Sequence, residues 1–451
     1  MSDDGQAANP QPSRRGLLSG GALSGIAAAG LAAAPRQTFA ATPATGSSAG
    51  RKFRGLVVRP GQRGSVEEVT LLPIRPREVV VRNEAAYCSY TMSRQALGVG
   101  PAPTAGGAGP LVLGQGAVGI VEDVGSMVKR VRPGDRVIVA GNPQCGQCYQ
   151  CLQGRAEWCQ LLLQEIHPYG TLPDGVPVSP RGGIGGIAEL TVTSEEHCVP
   201  LWTSLSAHEL AVLGNTAGIG LASGMTLVPI EPGSDVVVLG CGPLGLSAVQ
   251  SARIMGATQI IAVEPIAYRR EAALKLGATM VLDPNVEGNG LIEKIRNLCK
   301  GPTDRVFSGG RVWANDLNIP RGCDFCIEAV GGDVLPPKAG AGPDPTGILP
   351  LRQAFEITRA GGHVIYLGAG QQGDVSIPGF ALSNRGRTLH SAQMGGMHVM
   401  RDLPRYVKLT EAGKFNAKAI ADGAFPLDRV LDGFQAVADR TTISACVVFP
   451  T

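Results

Sequence analysis

The stretch DVVVLGCGPLGLSAVQSARIMGATQIIAVEP, Asp235 to Pro265, leaves a chain few ways to fold. Asp235–Leu239 is an apolar run of strand length, and Gly240-Cys241-Gly242-Pro243-Leu244-Gly245 after it is a GxGxxG turn. The pattern predicts a helix from there to Met255, then a second strand over Gln259–Val263 that runs into Glu264. Between a strand and a helix, such glycines let the backbone approach a pyrophosphate, whose charge sits at the helix N-terminus. Gly240, Gly242, Pro243, Leu244 and Gly245 are therefore predicted to hold a dinucleotide. Glu264 falls 19 positions after Gly245, close to the distance expected of an acid that grips ribose hydroxyls. It would repel a 2′-phosphate, which favours NAD over NADP. Arg269 and Arg270 leave that choice open, since either could face a phosphate; Arg269 is placed among the cofactor-binding residues. The plainer alternative is that Glu264 only caps the next helix.

The following residues keep the same alternation. ALKLGATMVLD predicts helix, turn and strand; GCDFCIEAVGG predicts a strand ending at two glycines; LRQAFEITRAGGHVIYLGAG predicts helix, turn and strand again. Strands alternating with helices imply a parallel, doubly wound sheet of the Rossmann kind. Cys323 and Cys326 form a CxxC inside an apolar strand and read as core thiols rather than a redox pair. Two long inserted stretches, KGPTDRVFSGGRVWANDLNIPRG and PPKAGAGPDPTGILP, interrupt this sheet. Loops of that length in a compact domain are either functional covers or disordered.

A second constraint is CGQCYQCLQGRAEWC. Cys145, Cys148, Cys151 and Cys159 follow one another at intervals of two, two and seven intervening residues. Four thiolates in so short a loop suit a closed tetrahedral structural zinc, with no position left for substrate. A redox disulfide is the alternative, but it leaves the other cysteines unexplained.

Length and charge bound the rest. The 451 residues suffice for two domains with ample cores, and 40 basic against 37 acidic residues give a net charge of +3 with no basic block. That balance argues against nucleic acid and against a polybasic membrane patch. The N-terminus, QPSRRGLLSGGALSGIAAAGLAAAPRQTFAATPA, carries Arg14-Arg15 before a weakly hydrophobic Gly/Ala/Leu run over 16–34. It resembles a bacterial twin-arginine export signal, which implies a periplasmic or secreted protein. An uncleaved anchor and a disordered leader are the alternatives. Ala40 is the expected last signal residue within a window of 34–44, and 45–50 reads as a Gly/Ser linker. No later segment has an apolar run long enough to span a membrane.

The cysteine spacing also matches, cysteine for cysteine, the structural-zinc lobe of the zinc-dependent alcohol dehydrogenases. The segment PLVLGQGAVGIVEDVGSMVKRVRPGDRVIV, over 110–139, resembles the same family, which belongs to the medium-chain dehydrogenase/reductase superfamily. The likeness covers nearly everything after residue 51. It implies a GroES-like, β-rich catalytic domain over 51–216 and 394–451, with the zinc lobe at 145–159 and a Rossmann domain at 217–393. It further implies hydride transfer between an alcohol or carbonyl substrate and NAD, one structural zinc per chain, and a homo-oligomer, dimer or tetramer. In the related glutathione-independent formaldehyde dehydrogenases an insertion placed like PPKAGAGPDPTGILP covers the cofactor.

The family's catalytic zinc is held by a Cys, the His of Gly-His-Glu, and a second Cys. The matching positions here are Cys88, Gln115 and Asn215, with Gly116 in place of the Glu. Amides are poor zinc donors and add no charge, so a zinc-free centre is expected; His167 stays open as a replacement ligand. The family's Ser or Thr two residues after the first Cys, which relays the alcohol proton, is Tyr90. A phenol can exchange that proton, and Gln115 and Asn215 can donate amide N–H groups to the substrate oxygen. For Tyr90 the plainer alternative is an aromatic packed beside the cofactor. Ser444 stands where many members carry an Arg for the pyrophosphate. Two rival readings remain: a conventional zinc alcohol dehydrogenase with amide ligands, and a non-catalytic nucleotide-binding redox sensor. An exported NAD enzyme meets little free NAD, so a tightly held cofactor and an external electron acceptor are expected.

Overall fold

Apolar runs with every residue buried need cover on both faces, and the nucleotide-binding half supplies it. The computed structural model describes residues 48–99, 109–299, 321–332, 335, 347–368, 374–377, 379–383 and 386–450. The twin-arginine leader and most of both inserted stretches lie outside the described residues. Six parallel strands lie side by side in the order Met280–Leu282, Gln259–Val263, Asp235–Leu239, Cys323–Glu328, Thr358–Tyr366 and Thr388–His390. Numbered along the chain this is 3-2-1-4-5-6, the doubly wound order, with its switch point between Asp235–Leu239 and Cys323–Glu328. Period-two alternation sends Val236, Val238, Ile260, Ala262 and Ile327 into one apolar cluster. It sends Val237, Leu239, Ile261, Val263 and Val364 into the opposite one. Cys323 and Cys326 share that second cluster because the pairing register shifts between Cys323 and Phe325. Both are fully buried free thiols, as core residues should be.

The remaining strands build two antiparallel-rich sheets. One is a closed barrel of Lys52–Val58, Ser65–Leu71, Gly170–Thr171, Pro177–Pro180 and Leu111–Val112. The other has seven strands, in the order Cys198–Pro200, Arg136–Val139, Ala117–Val124, Glu78–Cys88, Ala445–Val448 and Gly423–Pro426, with Leu190–Ser194 also paired to Glu78–Cys88. The chain's last strand thus returns beside one of its first, with Ala445 opposite Cys88.

Two local expectations change. The 110–139 segment reads in sequence as two strands around a turn, yet it contributes three. Leu111–Val112 joins the barrel, and only Ala117–Val124 and Arg136–Val139 form the antiparallel pair, Ala117 opposite Val139. The turn expected in TRAGGHVIY falls inside the strand Thr358–Tyr366, which begins directly after the helix Ile348–Ile357 and does not wait for the glycines. Cys323 pairs with Thr358 and Phe325 already with His363, so residues 359–362 bulge out of the ladder, with Gly361 at φ +76°. Among the described residues no single helix is long and apolar enough to cross a membrane.

Candidate functional site

The four-cysteine loop folds as one short helical turn, Tyr149–Leu152, and one 3-10 turn, Ala156–Trp158, between which the chain doubles back. All four Sγ atoms then lie within 4.8 Å of one another. Cys145 and Cys151 Sγ are 3.9 Å apart, close to the ~3.8 Å edge of a tetrahedron built on Zn–S bonds of about 2.3 Å. Backbone N–H groups point at the sulfurs: Cys148 to Cys145 at 3.3 Å, Cys145 to Cys159 at 3.4 Å and Gln160 to Cys148 at 3.4 Å. Burial opposes ionisation of Cys148, but these N–H groups and the neighbouring thiols prevail and draw it down to about 6. Burial and the neighbouring cysteines push Cys151 up to about 12. A bound dication would offset the charge that burial and the neighbouring cysteines oppose on Cys151. The four cysteines are the one group of three or more potential His, Cys, Asp or Glu ligands among the described residues, and all eleven cysteines are free of disulfides.

The glycine turn lies where the switch point predicts. The helix Pro243–Met255 begins with Pro at its first position and Gly242 as its N-cap, so its free N–H groups open onto the turn. Gly240 takes φ +86°, and a Cβ on Gly245 would overlap the Gly240 carbonyl oxygen. Glu264 stands at the strand end as expected, but its carboxylate turns inward and is 3 % exposed. Oε2 accepts from Cys241 N–H at 2.7 Å and Oε1 from Ile266 N–H at 3.0 Å. It thus ties the glycine turn to Ile266, the residue that precedes the helix Ala267–Leu276. Arg269 donates to Tyr268 Oη at 3.0 Å and to the Thr442 carbonyl at 3.1 Å. Its Nη1 lies 3.9 Å from where a Gly242 Cβ would be, so the cation stands over the turn. Arg270 is taken by Asp283 at 3.0 Å and by the Glu264 carbonyl at 2.8 Å.

Cys88, Gln115 and Asn215 come to one end of the seven-stranded sheet. Ala86 pairs antiparallel with Ala117, so the next positions of that register set Cys88 against Gln115. Gln115 is half-buried between Gly114 and Gly116, and both glycines pack flush against Gly186. Asn215 caps the helix Thr216–Ala222 after Gly214, which packs on Ile138 of the same sheet. Its Oδ1 accepts from the Thr216 hydroxyl at 3.0 Å. Cys88 is fully buried, and burial pushes its thiol well above the ordinary value. The donor set is one thiol and two amides, a poor fit to zinc because amide oxygens are weak donors that add no charge. His167, kept open as a replacement, pairs instead with Glu165 at 3.8 Å.

Tyr90 lies on the single turn Tyr90–Met92, with its hydroxyl 3.4 Å from Leu335 N and 3.5 Å from the Leu335 carbonyl. Leu335 packs in the same apolar cluster as Cys88 and Met92. That contact has no local signal in the sequence. A second residue that sequence reasoning passed over is Glu328, fully buried at the switch point. Its carboxylate accepts from Val330 N–H at 2.8 Å, Gly331 N–H at 2.9 Å and Gly368 N–H at 3.1 Å, tying together the loops that follow two adjacent strands. An acid ending an apolar strand, as at Glu264, was the available signal.

Residues 75–203 match the alcohol dehydrogenase GroES-like domain, and residues 243–337 match the zinc-binding dehydrogenase family. The chain belongs to the zinc-type alcohol dehydrogenase family of the medium-chain dehydrogenases. Alcohol dehydrogenase class-3 of Myxine glutinosa is 27 % identical over 381 residues, 82 % of this chain and 90 % of that protein. Benzyl alcohol dehydrogenase from Acinetobacter calcoaceticus shares the fold with a TM-score of 0.73, at 21 % identity, over 89 % of this chain and all (100 %) of that one. A zinc-binding dehydrogenase from Sinorhizobium meliloti, solved with NADP, superposes with a TM-score of 0.64 at 24 % identity, over 88 % of this chain and 99 % of that one. Against the family pattern, Ser444 is fully buried and donates to the Ile420 carbonyl, so it reaches no ligand. The guanidinium of Arg269, anchored two residues away at Thr442, occupies the neighbourhood instead.

Proposed function

We propose that this alcohol dehydrogenase-like oxidoreductase transfers a hydride between a small alcohol, aldehyde or ketone and a tightly held NAD, outside the cytoplasm and without a catalytic zinc. The observation that carries the zinc-free reading is the donor set: one thiol, Cys88, and two amides, Gln115 and Asn215, where the family places strong ligands. Nicotinamide supplies the hydride chemistry when bound. The chain's own residues supply the rest. Gln115 and Asn215 offer N–H donors to the substrate oxygen, and the Tyr90 phenol exchanges its proton. Support for NAD comes from Arg270, whose charge Asp283 already neutralises, which leaves it no free charge for a 2′-phosphate. Arg269 is engaged by neutral partners and remains available to the pyrophosphate.

Protein purified without added NAD and then denatured should release close to one nicotinamide dinucleotide per chain, read by absorbance and mass spectrometry. An empty site that readily takes up added NAD would favour an ordinary exchangeable cofactor. Turnover on a panel of alcohols and aldehydes separates the enzyme from a nucleotide-binding sensor on the same scaffold. Export has its own test. Changing Arg14 and Arg15 together to Lys should trap the folded protein inside the cell, seen by fractionation; unchanged secretion would sink the twin-arginine route.

A further inference from the structure

We propose that Arg181 anchors a carboxylate on the substrate, so that the enzyme acts on hydroxy acids or their oxo counterparts; this rests on the oxidoreductase reading above. The strand Pro177–Pro180 runs parallel to Leu111–Val112 with Pro180 opposite Val112, so Arg181 lies alongside Leu113, two residues ahead of Gln115. The chain then makes the 3-10 turn Arg181–Gly183 and returns with Gly186 flush against Gly114 and Gly116, the residues that flank Gln115. Arg181 Nε donates to Gln95 Oε1 at 2.8 Å. Gln95 belongs to the short helix Ser93–Leu97 that follows Tyr90, and Ala96 and Leu97 pack with Cys88 and Ile184 in one cluster. Arg181 is therefore tied between the two segments that deliver Tyr90 and Gln115.

Its bonding sets it apart. The partly buried Arg136, Arg270 and Arg359 each meet a carboxylate, of Glu84, Asp283 and Asp235 respectively. Arg296 and Arg387 sit on backbone carbonyls. Arg181 has a single bond to a neutral amide, which leaves its paired Nη donors without a partner among the described residues. That pair is the edge of a guanidinium that takes a carboxylate in bidentate fashion. Burial lowers the affinity of Arg181 for its proton, the mark of a desolvated cation with no anion beside it. The group still stays charged, so its cost is recovered only when an anion arrives.

The test compares hydroxy acids of two to six carbons with their methyl esters, using the NAD-loaded protein. For the best chain length, kcat/KM for the acid should exceed that for the ester by about 10–100-fold, the scale of a charged hydrogen-bonded pair. In Arg181→Leu that ratio should collapse to about one, and in Gln95→Glu, which puts a permanent carboxylate on the guanidinium, it should fall as far. Butanoate binding to the NAD-loaded protein, followed by calorimetry, should weaken at least about tenfold in both variants. This measurement stands even if no alcohol is turned over, a result that would remove the oxidoreductase reading and leave the anion site to be judged alone. Wild-type preference for the esters, or butanoate binding equal in wild type and variants, overturns the proposal. Loss of NAD affinity with the acid preference intact would reassign the cation to the cofactor's phosphates and overturns it equally.

Discussion

Folded protein should carry close to one zinc per chain by elemental analysis, all of it in the Cys145, Cys148, Cys151 and Cys159 cage. Cys151→Ser should strip that metal and cost on the order of several kcal/mol, because the free energy of metal binding is part of the free energy of folding. The loss should appear in thermal unfolding before it appears in any chemical step, since the cage has no open position for substrate. Cys88→Ser should leave the metal content unchanged. Gln115→His with Asn215→Cys, which restores an imidazole and a second thiolate beside Cys88, should create a second binding event. A native count near two that drops to one in Cys88→Ser would show that the amides do hold a metal, and the zinc-free mechanism would fall with it.

Gly245→Ala should empty the nucleotide site. The added Cβ would meet the Gly240 carbonyl oxygen, and that backbone cannot retreat because Asp235–Leu239 is paired on both sides, to Gln259–Val263 and to Cys323–Glu328. The helix must shift instead, at a cost of about 3 kcal/mol, which lowers NAD affinity roughly 100-fold or more and reduces stability as well. Gly242→Ala is the informative partner. A Cβ there meets nothing nearer than Arg269 Nη1 at 3.9 Å, so the free protein should tolerate it. Its methyl group projects only into the space where the pyrophosphate is expected, and it should weaken NAD binding while leaving unliganded stability near wild type. Titration calorimetry and thermal melts on both variants check the pair. Undiminished NAD affinity in Gly242→Ala would mean that the dinucleotide does not lie over this turn.

The four-cysteine cluster and the glycine turn are legible because each is written in contiguous residues. Spacing of two, two and seven residues is enough to bring four sulfurs together once the loop doubles back, whatever surrounds it. The strand–turn–helix at Asp235–Met255 is likewise local, and its ends fall where the apolar run and the glycines put them. Glu264 shows where that legibility stops. Its position at the strand end followed from the pattern, but the inward turn of its carboxylate onto Cys241 N–H depends on how the glycine turn meets the strand end, which the pattern alone does not specify.

The proposed reacting centre draws on segments far apart in the chain. A family resemblance could nominate Cys88, Gln115 and Asn215, yet only the pairing of Ala86 with Ala117 and the packing of Gly214 on Ile138 bring them to one sheet end. The Tyr90–Leu335 contact joins residues 245 positions apart, and nothing near either one announces it. Arg181 had no motif at all; its interest comes from the partner it lacks, which a sequence does not record. The chain's residues by themselves determined the elements and the two local sites, because short-range spacing and φ constraints act within a few residues. Tertiary structure decided which distant side chains share a low-dielectric space, and there burial sets which of them find a partner and which, like the Arg181 guanidinium edge, do not.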